Sequence, residues 1–214
     1  MKAGIPSNRL YQDKVTICKG IMMKDNAVVG KFKIVSTPIS GLVVLERTAF
    51  EDVRGVFSRL YSAETLQEAG MNKPILQINH SITRLKGTAR GLHFQYPPSA
   101  EMKVVTCLRG EVFDVAVDLR HGSDTFLSWH GEYLSESNRK SLLIPEGCAH
   151  GFQTMEENCE LLYFHTANYS PEMEGGVNVE DNRIGIQWPL PIQELSARDR
   201  TFPVLDSDFE GINL

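Results

Sequence analysis

Between Gly87 and Gln95 the chain reads G-T-A-R-G-L-H-F-Q, which brings an arginine and a histidine together between glycines. A second cluster, I-P-E-G-C-A-H-G-F at 144–152, carries His150 between Gly147 and Gly151. Histidine titrates near neutral pH, so each imidazole could take a proton, return one, or ligate a metal. Apolar Leu92 and Phe94 alternate with His93 and Gln95, the two-residue period of a strand. On a regular strand Arg90, Leu92 and Phe94 share one face, and His93 and Gln95 the other.

With Glu101 and Gly110 after the first cluster, the pair resembles the two-part cupin signature. Its H-x-H…E…G and P-x-G-x-x-H motifs supply metal ligands. Here Gln95 stands where the second histidine would be, and divalent metals prefer imidazole, carboxylate or thiolate. His93 and His150 without a dependable third ligand would hold a metal weakly. The expectation is a cupin barrel with neither metal nor other cofactor. Cys18, Cys107, Cys148 and Cys159 show no C-x-x-C spacing, which argues against a zinc knuckle or a redox pair. Cys107, in an apolar run, reads as a small buried hydrophobe.

The elements that must position these residues are mostly strands. From Pro74 onward, strands are expected at 75–83, 91–95, 103–108, 111–119, 129–134, 141–145, 151–154 and 160–166. Arg109-Gly110-Glu111 makes a tight connection between two of them. Earlier, strand alternation begins at Gly30–Val35, Gly41–Leu45 forms a strand, and Asp52–Gly55 supplies a turn. Ser62 caps a short helix, 63–69, that Gly70 ends, and Ser196 could cap a last turn. Gly175-Gly176 reads as a loop, and Asp118 with Arg120 as a structural ion pair. The fold class is all-β, a cupin-type jelly-roll barrel or β-sandwich with a few short helices. Residues 1–35 are read as an N-terminal extension and 36–214 as one domain.

Of 214 residues, 42% are hydrophobic and 23% charged, as in a soluble globular protein. A net charge of −5 gives no support to a nucleic-acid or membrane partner. The start has no signal-peptide pattern, and no run is apolar for the ~18 residues a membrane span needs. Unpaired thiols in such a chain point to the cytoplasm.

A longer series of motifs resembles the dTDP-4-dehydrorhamnose 3,5-epimerase family of nucleotide-sugar epimerases. It includes D-V-R-G-V-F at 52–57, Q-I-N-H-S at 77–81, R-G-L-H-F-Q at 90–95, K-V-V at 103–105 and F-D-V-A-V-D-L-R at 113–120. It continues with G-S-D-T-F at 122–126, the His150 cluster, Y-F-H-T-A-N-Y-S-P-E at 163–172, I-Q-W-P at 186–189 and L-S-A-R-D at 195–199. The resemblance implies a substrate, a nucleotide diphosphate 4-keto-6-deoxy sugar, and epimerisation beside its ketone. It also implies roles: His93 as base, Asp199 as its carboxylate partner, Tyr163 as acid and Lys103 at the enolate oxygen. Arg54 and Arg90 would bind the diphosphate, His150 would lie near the sugar, and Gln77 and Asn79 would make polar contacts. Phe57 and Tyr169 would stack on the base. In the resembling enzymes the Arg54–Phe57 strand crosses a dimer interface, which implies a homodimer. His80, His121, His130 and His165 are given no role and are read as structural or exposed.

Three departures matter. Arg59 stands where the family has an acid near the nucleotide, which opens the choice to CDP, UDP or GDP as well as dTDP. N-V-E-D-N at 178–182 replaces the family's W-x-D-P, and the N-terminal extension is additional. The alternatives are an epimerase acting at C3 or C5 alone, a 3,4-ketoisomerase, a metal-dependent cupin oxygenase, and a cupin that only binds sugar nucleotides.

Overall fold

The computed structural model describes residues 27–29 and 31–214, with side chains from residue 31 onward. Most of the expected N-terminal extension lies outside the described residues. In chain order the first elements are β1 (Ala27–Val29), β2 (Phe32–Ser36), β3 (Val43–Arg47), β4 (Ala49–Asp52), β5 (Gly55–Ser58) and helix α1 (Ala63–Glu68). Next come β6 (Gln77–Thr83), β7 (Ala89–Gln95), β8 (Lys103–Arg109) and β9 (Glu111–Asp118). The last are β10 (Trp129–Ser135), β11 (Lys140–Ile144), β12 (Cys148–Thr154), β13 (Cys159–His165), β14 (Glu174–Gly176) and α2 (Ala197–Arg200). Among the described residues no helix is long and apolar enough to cross a membrane.

Two antiparallel sheets form the sandwich, one ordered β1-β2-β3-β11-β8-β13-β6 and the other β10-β9-β12-β7-β14. The β4–β5 hairpin stands apart as a two-stranded ribbon. The Arg109-Gly110-Glu111 connection carries the chain from β8 in the larger sheet to β9 in the smaller one, so its flanking strands do not pair. Asp118 and Arg120 form the expected ion pair, at 2.8 Å.

Strands such as V-F-D-V-A-V-D are apolar on both faces because both faces are covered. Val105, Cys107, Val112, Ala116, Leu142 and Leu161 fill one end of the space between the sheets. On the outside of the larger sheet, α1 packs Leu66 and Ala69 against Val104, Leu143 and Phe164. The Ser62 hydroxyl caps α1 by accepting from the Thr65 amide. A side chain buried like Leu66 contributes about 2 kcal/mol. On the outside of the smaller sheet, the C-terminal segment lays Val177, Val179, Ile184, Leu195 and Ile212 over Leu92, Phe94, Val115 and Val117. Gln153 clamps this segment by exchanging two hydrogen bonds with the backbone of Leu190 (2.8 and 3.0 Å).

The face assignment around His93 needs correction. His150 lies opposite His93, but Phe152 lies opposite Arg90, so three steps along β7 match two along β12. The extra residue is a β-bulge, and a bulge reverses which face the following side chains point to. Arg90 therefore joins His93 and Gln95 on the inner face instead of sharing a face with Leu92 and Phe94, which are buried in the outer cluster. Gly91 permits this with φ +127°. A Cβ there would stand 2.6 Å from Gly151 Cα and 2.8 Å from the His150 carbonyl oxygen. Replacing Gly91 by alanine should cost about 3 kcal/mol from positive φ plus overpacking. Denaturant unfolding measures this, and a loss below about 1 kcal/mol would contradict the close approach.

Candidate active site

The other end of the inter-sheet space is a polar cavity of about 510 Å³. The smaller sheet contributes Arg90, His93 and Gln95 from β7 and His150 and Phe152 from β12. The larger sheet contributes Gln77, Asn79 and Ser81 from β6, Lys103 from β8, and Tyr163 and His165 from β13. His93 and Tyr163 thus enter the cavity from opposite sheets.

His93 Nε2 lies 2.8 Å from Asp199 Oδ1. Asp199 sits in the first turn of α2, where its amide donates to the Ser196 cap hydroxyl at 3.0 Å. Its carboxylate does not return to its own helix end; Oδ2 accepts from the Gly91 amide at 3.3 Å. Burial alone would raise the Asp199 carboxyl, but the His93 and Gly91 hydrogen bonds outweigh it and hold it below the usual range. With Nε2–H donating to the carboxylate, Nδ1 is the nitrogen left to exchange a proton. Arg198 Nη2 stands 3.2 Å from the same Nε2 and Nη1 donates to Glu174 at 2.8 Å, which places a guanidinium beside the pair.

His150 makes a second imidazole–carboxylate pair, Nε2 to Asp114 Oδ2 at 2.9 Å, fully inside the sandwich. Burial lowers the His150 pKa against the pull of Asp114, and the charges of Lys103 and His93 lower it further. Tyr163 shares a 3.1 Å hydrogen bond with Ser81, and burial pushes its phenol up to about 12 despite that bond and the Arg90 charge. Lys103, itself buried, contacts Glu101 at 2.7 Å, and the other Glu101 oxygen accepts from His165 Nδ1 at 2.8 Å.

The remaining expected residues divide. Gln77 donates to Asn79 at 3.0 Å, and Tyr169 lies at the rim with its hydroxyl on Glu174 at 3.0 Å. Arg90 reaches Thr83 Oγ1 at 3.4 Å with its guanidinium 6.0 Å from the Phe152 ring centroid. Arg54, Phe57 and Arg59 lie on or just after the exposed β4–β5 hairpin, outside the cavity of their own chain, with Arg54 paired to Asp52. Gln95 spends its amide on the backbone of Ser99, Asn168 and Ser170, bracketing two loops. Among the described residues, no group of three His, Cys, Asp or Glu side chains could hold a metal ion.

Two readings are corrected here. His165 is not exposed but half-buried, in the cavity wall between Glu101 and Asn79. Gly175-Gly176 is not a loop but part of β14, paired with β7 at Phe94 and His93. A Cβ on Gly175 or Gly176 would fall within 2.5 Å of the Phe94 or Phe202 ring, so only glycine lets this edge close over the site. Asp114, Glu174, Arg198 and Ser81 also belong to the cavity wall or its partners and match none of the roles assigned above, and Glu101, read only as part of the cupin signature, joins them.

The sequence pattern of the dTDP-4-dehydrorhamnose 3,5-epimerase family matches residues 36–207. The chain belongs to this family. It is 46% identical over 175 residues to the dTDP-4-dehydrorhamnose 3,5-epimerase of Salmonella typhimurium, covering 81% of this chain and 95% of that one. The enzyme of the same name from Methanothermobacter thermautotrophicus is 39% identical over 178 residues, with 82% and 95% covered. Among solved structures, a dTDP-6-deoxy-D-glucose-3,5-epimerase from Legionella pneumophila, in complex with dTDP-4-keto-L-rhamnose, superposes with a TM-score of 0.79. It shares 36% identity, with 85% of this chain and 98% of that one covered. The family is one of isomerases, and its fold is the antiparallel sandwich described above.

Inside this sandwich the Glu101 cluster has a measurable consequence. Burial would raise the Glu101 carboxyl, but the Lys103 charge and the His165 hydrogen bond bring it from 4.5 down to about 2. A carboxylate depressed on folding stabilises above its unfolded pKa and loses that contribution as pH falls through the folded value. Wild type should exceed Glu101→Gln by about 3 kcal/mol at pH 7, and the gap should close between about pH 4.5 and 2. Denaturant unfolding across that range tests it; a gap that does not change with pH would refute the assignment.

Proposed function

We propose that the protein epimerises a nucleotide-linked 4-keto-6-deoxyhexose at C3 and C5 by removing and returning protons beside the C4 ketone. The observation that carries this reading is the pair of proton-handling groups, His93 and Tyr163, entering one cavity from opposite sheets. Epimerisation needs that arrangement, because the proton leaves one face of the carbon and returns to the other.

In this reading His93 Nδ1 takes the proton. The C–H electron pair becomes the enolate double bond, and the carbonyl pair moves onto the C4 oxygen. Asp199 stabilises the imidazolium and fixes the ring. The Lys103 ammonium faces the developing oxyanion. Tyr163, kept protonated by a pKa near 12, delivers its proton to the opposite face. Arg90 takes the diphosphate, His150 borders the sugar, Gln77 and Asn79 make polar contacts, and Tyr169 stacks at the nucleotide end. No step calls for a metal or other cofactor.

Arg54, Phe57 and Arg59 would complete a neighbouring subunit's site in a homodimer. The hairpin that carries them is an isolated ribbon exposing Phe50, Val53, Val56 and Phe57, which is favourable in water only if another surface covers it. Residues 36–214 act as the epimerase domain. The described cysteines, all free, fit a cytoplasmic protein.

Incubated in D2O with a 4-keto-6-deoxyglucose nucleotide, wild type should incorporate deuterium at C3 and C5. His93→Ala should abolish incorporation at both carbons, and Asp199→Asn should lower kcat by about 10²- to 10⁴-fold. Wild type that binds the nucleotide sugar yet exchanges neither hydrogen would sink the proposal. Comparing dTDP, CDP, UDP and GDP substrates reads out the effect of Arg59.

A further inference from the structure

One wall of the cavity carries four polar contacts that run in a single direction toward Glu101, and a fifth that meets Glu101 from the other side. The Tyr169 backbone amide donates to Gln77 Oε1 at 3.2 Å, and Gln77 Nε2 donates to Asn79 Oδ1 at 3.0 Å. Asn79 Nδ2 then lies 3.4 Å from His165 Nε2, His165 Nδ1 lies 2.8 Å from Glu101 Oε2, and Lys103 Nζ meets Glu101 Oε1 at 2.7 Å. A backbone N–H can only donate, so Gln77 must turn its oxygen to Tyr169 and its nitrogen to Asn79. The same logic turns the Asn79 nitrogen toward His165, which leaves Nε2 as acceptor and Nδ1 as donor. Reversing any amide, or protonating Nε2, sets two donors against each other. Strand register enforces the row: His165 pairs with Lys103 on one side and with Gln77 on the other.

We propose that Glu101 and His165 are positioning residues for Lys103, joined through Asn79 and Gln77 to the Tyr169 amide in one directed hydrogen-bond chain. The chain holds the ammonium where the substrate's ketone oxygen must lie and ties that point to the rim where Tyr169 sits. This role rests on the epimerase reading given above. Neither Glu101 nor His165 transfers a proton. Their effect is on where Lys103 stands and on the counter-charge it carries, so their loss should appear in turnover more than in binding.

Two measurements test it. In protein labelled with ¹⁵N-histidine, long-range ¹H–¹⁵N correlations should find the His165 proton on Nδ1 at neutral pH. The opposite tautomer or an imidazolium would overturn the chain. In the D2O assay, with rates taken per folded protein, Glu101→Gln and His165→Gln should each lower kcat by about 10- to 100-fold and move KM less than about threefold. Because the two act as one unit, the double variant should fall no more than about twofold below the slower single variant. Full turnover in either single variant, or losses that multiply, would overturn the positioning role. Wild type that exchanges no hydrogen would mark failure of the epimerase reading itself, and the positioning role would fall with it.

Discussion

The close approach of β7 and β12 at Gly91 and Gly151 is the constraint on which the site depends. A regular strand would send Arg90 outward whenever it sent His93 inward, because side chains alternate. One extra residue, accommodated by a glycine at φ +127° packed against a second glycine, puts both inside. It also leaves the Gly91 amide free of the β12 ladder, and that amide donates to Asp199. A single backbone irregularity thus places the cation, the imidazole and the donor that orients the carboxylate.

A polar cavity inside a sandwich is costly unless its charges are matched. Most imidazoles and cations on the cavity side meet an acid: His93 has Asp199, His150 has Asp114, Lys103 and His165 share Glu101, and Arg198 has Glu174, while Arg90 reaches the Thr83 hydroxyl. Pairing shifts the two carboxyls, and burial shifts His150 and Tyr163. Asp199 and Glu101 stay ionised, His150 is held neutral by burial, and Tyr163 keeps its proton. Between the sheets, apolar packing lies at the far end of the sandwich, where Val105, Leu142 and Leu161 exclude water, and two further apolar clusters cover the outer faces of the sheets. The polar cavity is thus backed by apolar packing on its outer sides.

Most strands were legible because their period is two and glycine-rich turns bound them. Expected limits at 129–134 and 160–166 compare with Trp129–Ser135 and Cys159–His165. The start of β12 was hidden because P-E-G-C-A-H-G is rich in turn formers, and β14 because E-G-G has no strand propensity. Pairing with β7 and the aromatic rings above override that weakness. The Arg90 face was illegible, since a bulge is set by the partner strand and leaves no periodic trace. His165 carried a signal in its spacing: it lies two residues from Tyr163, hence on the same face of β13. Asp114 carried one as well, as an acid in the middle of an apolar strand that must find a buried partner.

The 106-residue separation between His93 and Asp199 shows what the C-terminal segment contributes. It packs as the outer layer of the smaller sheet, held by Gln153 at Leu190 and by the Trp188 indole donating to the Val179 carbonyl at 2.8 Å. Its apolar contacts lie outside the sheet, yet α2 at its end reaches the cavity edge and supplies both Asp199 and Arg198. His93 therefore meets its carboxylate partner only where the outer layer is packed on the sheet.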